Sequence, residues 1–293
     1  MNETDDSSAV PTDLLDELIQ LMGSVSGVRQ AVDVRSYPNG VEIPRIATRV
    51  SVTATTDEGT EYTATEPTLD KVDFSSAPTA TATTELTQQL MESSRPDLVR
   101  ECMSQHAEEL GRFWGASYCM GLGAADADTD GIFSSGAPAA LNTETTASAG
   151  TLAVGDLLKL RYDTLPAKYW VQGGPLSWVM SQSVFAEVMS LVDNNRPIFQ
   201  PQAESTMANA LQGTILGLPV YVDAGAPAFS GTNRIVALVS RDSYRIADRD
   251  PGFVSNINPW AQQNKGIVEV NSYWRSCGRW MRPEAAAVLS LKS

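Results

Sequence analysis

Apolar and polar residues alternate in two stretches of the N-terminal third of the chain. Residues 41–55 are rich in Val, Ile and Thr and alternate in the manner of a strand. Residues 72–83 are so dense in Thr, Ala and Ser that a helix is disfavoured. The segment between them, residues 56–67, is polar. The pattern predicts a β-hairpin over about residues 50–80 that projects from the body and needs a second surface, because an isolated hairpin is only marginally stable.

The N-terminal segment combines a polar tail with a short amphipathic helix. Residues 1–11 are polar and acidic and predict a flexible tail. From Thr12 to Gly23 the apolar residues have helical spacing, with Thr12 placed to cap the start and Gly23 the end. The apolar residues of this predicted helix are Leu14, Leu15, Leu18, Ile19 and Met22.

The strongest helical pattern runs from about residue 96 to residue 122. Its apolar stripe consists of Val99, Met103, Ala107, Leu110, Trp114 and Tyr118. Ser94 and Asp97 have the spacing of a capping box, and Pro96 is tolerated in a first helical turn. Such a helix would be roughly 40 Å long at 1.5 Å per residue, more than a small domain needs. The pattern therefore predicts a structural spine.

The second half of the chain has a mixed pattern. Residues 123–150 are rich in Gly, Ala, Ser, Thr and Asp and predict a long loop. The helices predicted after it span residues 151–165 and 181–192; the predicted strands span 176–180, 218–222, 235–240, 244–247 and 266–275. These elements predict an α+β fold without the regular βαβ alternation of a nucleotide-binding sheet.

Composition and charge narrow the function classes. The chain has 21 Lys and Arg against 35 Asp and Glu, a formal charge of −14, which opposes binding to a phosphate backbone. Sequence-specific nucleic-acid recognition is therefore disfavoured. Three cysteines predict neither a disulfide framework nor a zinc site. The acidic start and the lack of a long apolar run predict a soluble protein that is not exported and does not enter a membrane.

Three groups of residues in the second half carry a resemblance to a known family. They are Asp156-Leu157-Leu158 with Leu165-Pro166-Ala167-Lys168-Tyr169 and Trp178-Val179-Met180-Ser181; Thr214-Ile215-Leu216-Gly217-Leu218-Pro219-Val220-Tyr221-Val222 with Ala226-Pro227; and Arg234-Ile235-Val236-Ala237-Leu238 with Asp242-Ser243-Tyr244-Arg245-Ile246. Together with the order of arm, hairpin, long helix, loop and compact α+β unit, they resemble the major capsid proteins of tailed phages, the Hong Kong 97-like fold.

The resemblance implies a division of the chain into five parts. They are an N-terminal arm (1–40), an extended loop that carries the hairpin (41–85), a peripheral domain with the spine helix (86–149), an axial domain (150–265), and C-terminal strands that return to the peripheral domain (266–293). A flat subunit with overlapping arms can tile into closed, symmetric rings.

The resemblance also implies a function. The chain would be a structural subunit without enzymatic activity or cofactor, which assembles with itself into the hexamers and pentamers of an icosahedral capsid around double-stranded DNA. Further partners would be a cement or decoration protein, a scaffolding protein or protease, and a portal. Assembly would take place in the cytoplasm of the host bacterium, and the product would be a virion. An encapsulin-like cargo compartment and a gene-transfer-agent capsid remain the alternatives.

Two departures from the family pattern matter. Some members crosslink an extended-loop lysine to an asparagine of another subunit. The tip here, residues 62–67, contains no lysine, and Lys71 lies well along the second predicted strand, so no crosslink is expected. The long helical scaffolding segment that many relatives carry at the N-terminus is also absent, which implies removal by a protease or a separate scaffolding protein.

Two patterns suggest metal or thiol chemistry. Asp126, Asp128 and Asp130 precede Gly131 as in a calcium loop, but Ala137 stands where a bidentate Glu is required. A solvated loop is the simpler interpretation. Cys102 and His106, the single histidine, lie four residues apart on the spine and would suit a Cys-His dyad. A structural histidine is the commoner case.

Three further patterns each have a functional and a structural interpretation. Gly121-Leu122-Gly123 lacks the third glycine of a dinucleotide fingerprint. Asp248 and Asp250 would suit a hydrolase with paired carboxylates, but nothing places them across a cleft. The aromatic and basic residues near the C-terminus would suit base stacking, but packing against the spine or a neighbouring subunit is favoured. These residues are Trp274, Arg275, Arg279, Trp280 and Arg282.

Overall fold

A computed structural model of the chain describes residues 18, 21, 26–46, 66–93, 97–122, 129–171, 175–193, 196–197, 199–201 and 211–293. These residues form a mixed α+β fold. The helices are α1 (Gly27–Ala31), α2 (Gln88–Ser93), α3 (Leu98–Met120), α4 (Val154–Lys159), α5 (Ala167–Val171) and α6 (Gln182–Ser190). A π-helical turn, Leu160–Thr164, continues α4, and short 3-10 turns lie at Gln263–Lys265 and Pro283–Ala285.

The strands divide between two larger and two small sheets in the described part of the chain. They are β1 (Asp33–Tyr37), β2 (Glu42–Ile46), β3 (Leu69–Asp73), β4 (Thr79–Thr87), β5 (Asn142–Ala149), β6 (Leu176–Met180), β7 (Val192–Asp193), β8 (Arg196–Pro197), β9 (Phe199–Pro201), β10 (Leu211–Ile215), β11 (Leu218–Val222), β12 (Arg234–Ser240), β13 (Tyr244–Gln262), β14 (Ile267–Trp280) and β15 (Ala286–Lys292).

The first larger sheet has four strands in the order β1-β13-β14-β4, and the spine helix α3 packs on one of its faces. Along β14 the buried and half-buried positions alternate from Ile267 to Trp274, so every second side chain points into the core. Trp274 meets Trp114 of the spine edge to face, with ring centroids 6.2 Å apart. Helix and sheet therefore share one hydrophobic core.

The spine begins one residue after Asp97, whose side chain accepts a hydrogen bond from the backbone N–H of Arg100 and caps the helix. It ends at Gly121, whose φ of 81° is in the region that favours glycine. The predicted stripe is confirmed from Met103 to Tyr118, where each of its members is buried, and Val99 is half-buried. The predicted capping residue Ser94, like Pro96, lies outside the described residues.

The second larger sheet has seven strands in the order β5-β15-β12-β6-β11-β10-β9. Its central strand β6 is buried at all five positions, as expected for a strand covered on both faces. Helix α6 begins at Ser181, whose hydroxyl accepts from the backbone N–H of Val184. The side chains of Trp178 and Val184 lie in the hydrophobic core of this sheet. The predicted strand 176–180 and the predicted helix after it are confirmed.

Sheet membership differs from the predicted division in three places. The predicted loop 123–150 contains strand β5, which pairs in parallel with β15 at the edge of the seven-stranded sheet. Strand β15, predicted to return to the peripheral part, pairs with β12 in that same sheet. Strand β13, predicted to lie in the axial part, belongs to the four-stranded sheet. The composition of β5, rich in Thr, Ser and Ala, resembles that of a loop, which explains the first error.

The hairpin prediction is correct in kind, but its second strand is placed differently. Strands β2 and β3 pair antiparallel, from Glu42 opposite Asp73 to Ile46 opposite Leu69. The predicted strand 72–83 is divided, because the chain leaves β3 at Asp73 and enters β4 at Thr79. Strand β4 pairs with β14 instead. Of the N-terminal helix predicted over residues 12–23, only Leu18 and Leu21 are described, and both are helical.

A tight turn joins β10 to β11 at Leu216 and Gly217, within the motif that carried the resemblance. Both residues have positive φ, 51° and 76°, which is the backbone of a type I′ hairpin turn. A leucine in this conformation costs roughly 1–2 kcal/mol. The guanidinium of Arg161, from the π-helical turn, donates to the Leu216 carbonyl and holds the turn in place.

Candidate assembly surfaces

The β2–β3 pair forms a short stem that is anchored to the four-stranded sheet. Val72 and Phe74 are buried with Ala247 and Cys277 in a small hydrophobic cluster. Arg45 Nη1 also lies 3.5 Å from the carbonyl oxygen of Trp280. The stem is therefore attached by apolar contacts at its base. Residues 47–65, beyond the last pair of the stem, lie outside the described residues.

Two ion pairs lie on the surface of this stem. Lys71 Nζ lies 2.7 Å from a Glu42 carboxylate oxygen, and Arg45 Nη2 lies 2.7 Å from Asp70 Oδ2. The hydrogen bond to Glu42 raises the pKa of Lys71, and the hydrogen bond from Arg45 lowers the pKa of Asp70. Lys71, the lysine closest to the predicted loop tip, is thus already paired within its own chain.

Helix α1 forms a joint between the two larger sheets. Asp223, which follows β11, is buried and accepts hydrogen bonds from the Ser26 hydroxyl at 2.9 Å and the Val28 N–H at 3.0 Å. It also accepts from the Gly225 N–H at 2.9 Å. A carboxylate at this place satisfies N–H groups at the helix start that have no partner within the helix. Asp223 therefore ties α1 to the seven-stranded sheet.

The other end of the joint is an ion pair with the four-stranded sheet. Arg29 donates to both carboxylate oxygens of Asp248 in β13, one of them at 3.1 Å. Ser276 of β14 donates to Asp248 at 2.8 Å, and the Arg29 guanidinium lies 4.9 Å from the centre of the Trp274 ring. Burial alone would lower the pKa of Arg29. The hydrogen bonds to Asp248 and the negative charge of Asp248 outweigh burial, so the pKa of Arg29 is raised. Burial raises the pKa of neighbouring Tyr118, with the charge of Asp248 adding to it.

Close backbone packing gives the joint its shape. A Cβ added at Gly27 would lie 2.4 Å from the Val222 carbonyl oxygen, and one at Gly225 would lie 2.3 Å from Ala116 Cα of the spine. Both distances are shorter than any real contact, so a side chain at either glycine would separate the elements that meet there. Helix α1, strand β11 and the spine therefore fit together only because two small residues lie between them.

Eight large apolar side chains of the described residues are exposed. They are Leu69, Leu90, Phe113, Met120, Leu158, Tyr162, Met189 and Trp260. Leu69 of the stem, 74% exposed, and Trp260 of β13, 72% exposed, are the most open of them. Single exposed apolar residues are common on soluble proteins, so exposure alone assigns none of them a partner.

The predicted metal-loop residues are only partly described. Asp126 and Asp128 lie outside the described residues. Asp130 has structural partners, because its carboxylate accepts from the Trp280 N–H at 3.2 Å and lies 3.4 Å from Arg279 Nη1. Within the described ranges, no group of three or more His, Cys, Asp and Glu side chains could hold a metal ion.

The Cys102–His106 dyad, the less favoured interpretation of the sequence, is not assembled. Both ring nitrogens of His106 face hydroxyl groups, Nε2 at 2.6 Å from Thr84 Oγ1 and Nδ1 at 3.0 Å from Ser272 Oγ. Burial raises the pKa of the Cys102 thiol, which makes the reactive thiolate scarcer. His106 therefore joins the spine to β4 and β14 and favours the structural interpretation.

The remaining candidates also have structural surroundings. Asp248 is held by Arg29 and Ser276, whereas Asp250 is exposed, so the two carboxylates do not share a cleft. Trp274 and Trp280 are buried, and Trp280 packs edge to face with Tyr244 at 5.2 Å, which leaves neither ring free for a base. The Gly121 turn closes the spine. No helix of the described residues is long and apolar enough to cross a membrane.

Sequence reasoning did not find the joint. Arg29 lies about 200 positions before Asp223 and Asp248, and each of the three stands alone in its own segment. A weak signal was present, because Asp223 follows an apolar strand and Ser26 precedes a short helix. The carboxylate that sequence reasoning considered for catalysis, Asp248, is instead the ionic partner that holds the joint.

The chain resembles phage capsid proteins both in sequence and in fold. Residues 7–291 match the phage capsid family. The capsid of a native GTA particle has a TM-score of 0.73 at 20% identity over 92% of this chain and 91% of that chain. The structure from Mycobacterium phage Bobi has a TM-score of 0.66 at 17% identity, with 92% and 91% covered. The mature capsid of bacteriophage PhiM1 has a TM-score of 0.59 at 16% identity, with 92% and 87% covered. No curated protein sequence matches.

Proposed function

The chain belongs to the phage capsid family and is a capsid shell subunit, and on that premise we propose that its copies form the hexamers and pentamers of an icosahedral shell around double-stranded DNA. The observation that carries the proposal is the family match across residues 7–291. The fold shared with solved capsids supports it. Closed symmetry allows one modest interface to be repeated many times, which stabilises a shell of identical subunits.

We further propose a correspondence with the Hong Kong 97-like fold. The four-stranded sheet and the spine α3 correspond to the peripheral domain, and the seven-stranded sheet with α4 and α6 corresponds to the axial domain. The β2–β3 stem is the base of the extended loop. The strand memberships support boundaries different from those implied by the sequence, because β5 and β15 pair with the axial strands and β13 pairs with the peripheral strands.

The stem supports a role for the extended loop in contacts between copies. Its base is attached to the subunit by Val72 and Phe74, while Leu69, which belongs to the outermost described pair, is open to solvent. An apolar side chain in that position gains stability only when another surface covers it. We propose that this surface belongs to an adjacent copy.

A gene-transfer-agent capsid is the second candidate. The capsids of a native and an empty GTA particle both have TM-scores of 0.73 with this chain, over 92% of its length. Cement, scaffolding, protease and portal partners follow from the family and remain proposals, as does assembly in a bacterial cytoplasm. An encapsulin-like compartment would have the same kind of shell with protein cargo in place of DNA.

Electron microscopy of the purified particles tests the shell proposal and separates the candidates. The proposal expects closed shells with five-fold vertices, and particles with a portal, tail and nuclease-protected DNA would be phage. Random fragments of host DNA would indicate a gene-transfer agent, and protein cargo without DNA would indicate an encapsulin. A protein that remains monomeric at high concentration would refute the shell proposal.

Deletion of residues 56–67 tests the role of the extended loop. The segment is polar in sequence and offers little apolar side-chain area to a core, so the variant should keep the thermal unfolding midpoint of the wild type. Shell yield, measured by sedimentation, should fall to background. Normal shells from the folded variant would show that the loop does not hold neighbouring copies together.

A further inference from the structure

One half of the longest strand forms an open, uncharged edge. Strand β1 pairs with β13 only from Arg245 to Arg249, and β14 pairs with β13 along both halves. From residue 253 onward, no described strand pairs with the other side of β13. Residues 252–264 contain no charged side chain, although the chain as a whole has a net charge of −14.

This lack of charge is unusual for a sheet edge. Natural proteins protect exposed edges with charged residues, prolines and bulges, because an open edge can pair with another chain. The edge of β13 has a bulge between Asn258 and Gln262 and a proline at position 259, which would limit pairing to the residues before it. It has no charge to repel a second chain.

Trp260 stands at the bulge of this edge. Its backbone N–H donates to Asn258 Oδ1 at 3.1 Å, within the stretch where the register between β13 and β14 shifts. The indole is 72% exposed, whereas Trp114, Trp178, Trp274 and Trp280 are all buried. A tryptophan in this position leaves a large apolar area in water, which is unfavourable for an isolated subunit.

The charged groups nearest this edge, Glu85, Glu269 and Lys265, are linked through the uncharged Gln262. Gln262 Nε2 donates to Glu85 at 2.7 Å and to Glu269 at 3.1 Å, and Lys265 Nζ donates to Gln262 Oε1 at 3.2 Å. Leu90, a second exposed apolar residue, is close to the same end of the sheet, since the Gln88 N–H at the start of α2 donates to the Gly266 carbonyl at 2.9 Å. Two exposed apolar side chains, Leu90 and Trp260, therefore lie at the end of the sheet that carries the uncharged segment of β13.

We propose that the neutral edge, defined as residues 253–260 of β13 with Trp260 as its anchor, binds a second copy of this chain in the shell. Two copies of a chain with charge −14 repel each other, and a surface without charge is where they approach at least cost. Trp is also enriched among the residues that dominate binding at protein interfaces. The inference rests on the proposed function, because it assigns this edge to a contact within the shell.

The neutral edge is a small surface, and for this reason we expect the contact only within an assembled shell. A tryptophan buries about 150–250 Å², whereas a stable pair of proteins needs about 800 Å² on each partner. The neutral edge alone is thus too small to hold a dimer in solution. Within a shell, other contacts hold the copies close together, and a weak contact repeated on every subunit becomes effective.

Photocrosslinking at position 260 tests which molecule covers the edge. Trp260 is replaced by a photoreactive benzoylphenylalanine, and shells are assembled from equal amounts of ¹⁵N-labelled and unlabelled subunits. A contact between copies gives crosslinked peptides of mixed isotope mass. Crosslinks confined to one copy, or crosslinks to a different protein such as a cement protein, would overturn the proposal.

The variant Trp260→Ala measures how much the contact contributes. The subunit concentration required for assembly should rise by at least about tenfold, as expected for a central interface residue. Trp260→Phe, which keeps an aromatic ring, should recover most of the wild-type assembly. Unchanged assembly of Trp260→Ala would refute the role of this residue, while wild-type shells would still support the proposed function.

Hydroxyl-radical footprinting of the wild type covers the case in which variants fail to fold. Oxidation at Trp260 should be much lower in shells than in free subunits, because a neighbouring copy excludes solvent. Equal oxidation in both forms would overturn the proposal. Failure of the wild type to form shells at all would instead refute the proposed function.

Discussion

The α1 joint and the β2–β3 stem contain the same kinds of charged residue in opposite surroundings. In the joint, the side chains of Arg29 and Asp248 are 15% and 11% exposed. In the stem, those of Lys71 and Glu42 are 66% and 51% exposed. Water solvates the stem charges whether or not they pair, so their pairing contributes little. The joint charges have lost most of that solvation, and each depends on its partner.

The contrast indicates how the body of the subunit is held in one arrangement. Asp223 and Asp248 hold α1 against both larger sheets and accept hydrogen bonds in fixed directions. A buried polar network of this kind specifies one arrangement more than it adds stability. The stem has no such network, and its base is attached by a few apolar side chains. The relative position of the two sheets is therefore set within each subunit.

The largest expected effect is at the joint. Asp248→Ala leaves the buried Arg29 guanidinium without its carboxylate and removes one acceptor of the Ser276 hydroxyl. We expect the free energy of unfolding to fall by about 3–5 kcal/mol, as for other buried pairs that lose one member. Urea denaturation followed by tryptophan fluorescence measures this loss.

Asp250→Ala is the matched control for that variant. Asp250 lies two residues further along the same strand and is exposed. Its replacement should leave the urea midpoint close to that of the wild type. An equal loss of stability in both variants would show that replacing any aspartate in this part of β13 destabilises the fold. Burial of the Arg29–Asp248 ion pair would then not explain the loss.

The sequence predicts those features of the fold that depend on local periodicity. The apolar stripe of the spine, the buried strand 176–180 and the helix after it are confirmed. Local patterns also showed that a hairpin exists. They could not show where its second strand ends, because the strand-like stretch of residues 72–83 covers both the end of β3 and the start of β4.

Features that depend on contacts far apart in the chain could not be predicted. Strand β5 resembles a loop in composition and becomes a strand because β15, more than 130 residues later, is available to pair with it. Asp248 is an ordinary acidic residue until the fold places Arg29 beside it. Likewise, β1 ends at Tyr37, and the second half of β13, which includes the exposed Trp260, has no described strand on that side. In each of these three examples, contacts between residues far apart in the chain determine the local structure.

A smaller effect on stability is expected at His106, a buried side chain that is uncharged, unlike the charged residues of the joint. Burial lowers the pKa of His106, so the unfolded chain binds a proton more readily than the folded one. The stability contributed by neutral His106 is fully present above about pH 6.5, its ordinary pKa, and is lost as the pH falls below that value. The unfolding free energy should therefore fall as the pH is lowered from about 7.5 to 5.5.

His106→Gln isolates that contribution from the carboxylates that titrate in the same experiment. Glutamine does not titrate and can still bond to the hydroxyls of Thr84 and Ser272. The variant should therefore show a shallower loss of stability on acidification than the wild type. Identical pH profiles for the two proteins would mean that His106 binds protons equally well in the folded and unfolded states.

The smallest effect is expected in the stem. Lys71→Met removes the ion pair with Glu42 but keeps most of the aliphatic length of the side chain. The pKa of Lys71 is raised by Glu42, yet both side chains are open to water, which already solvates their charges. The urea midpoint should be the same as that of the wild type, at low and at high salt. A clear loss of stability in Lys71→Met that disappears in high salt would mean that the stem, like the joint, depends on its charges. The contrast between the two regions would then be wrong.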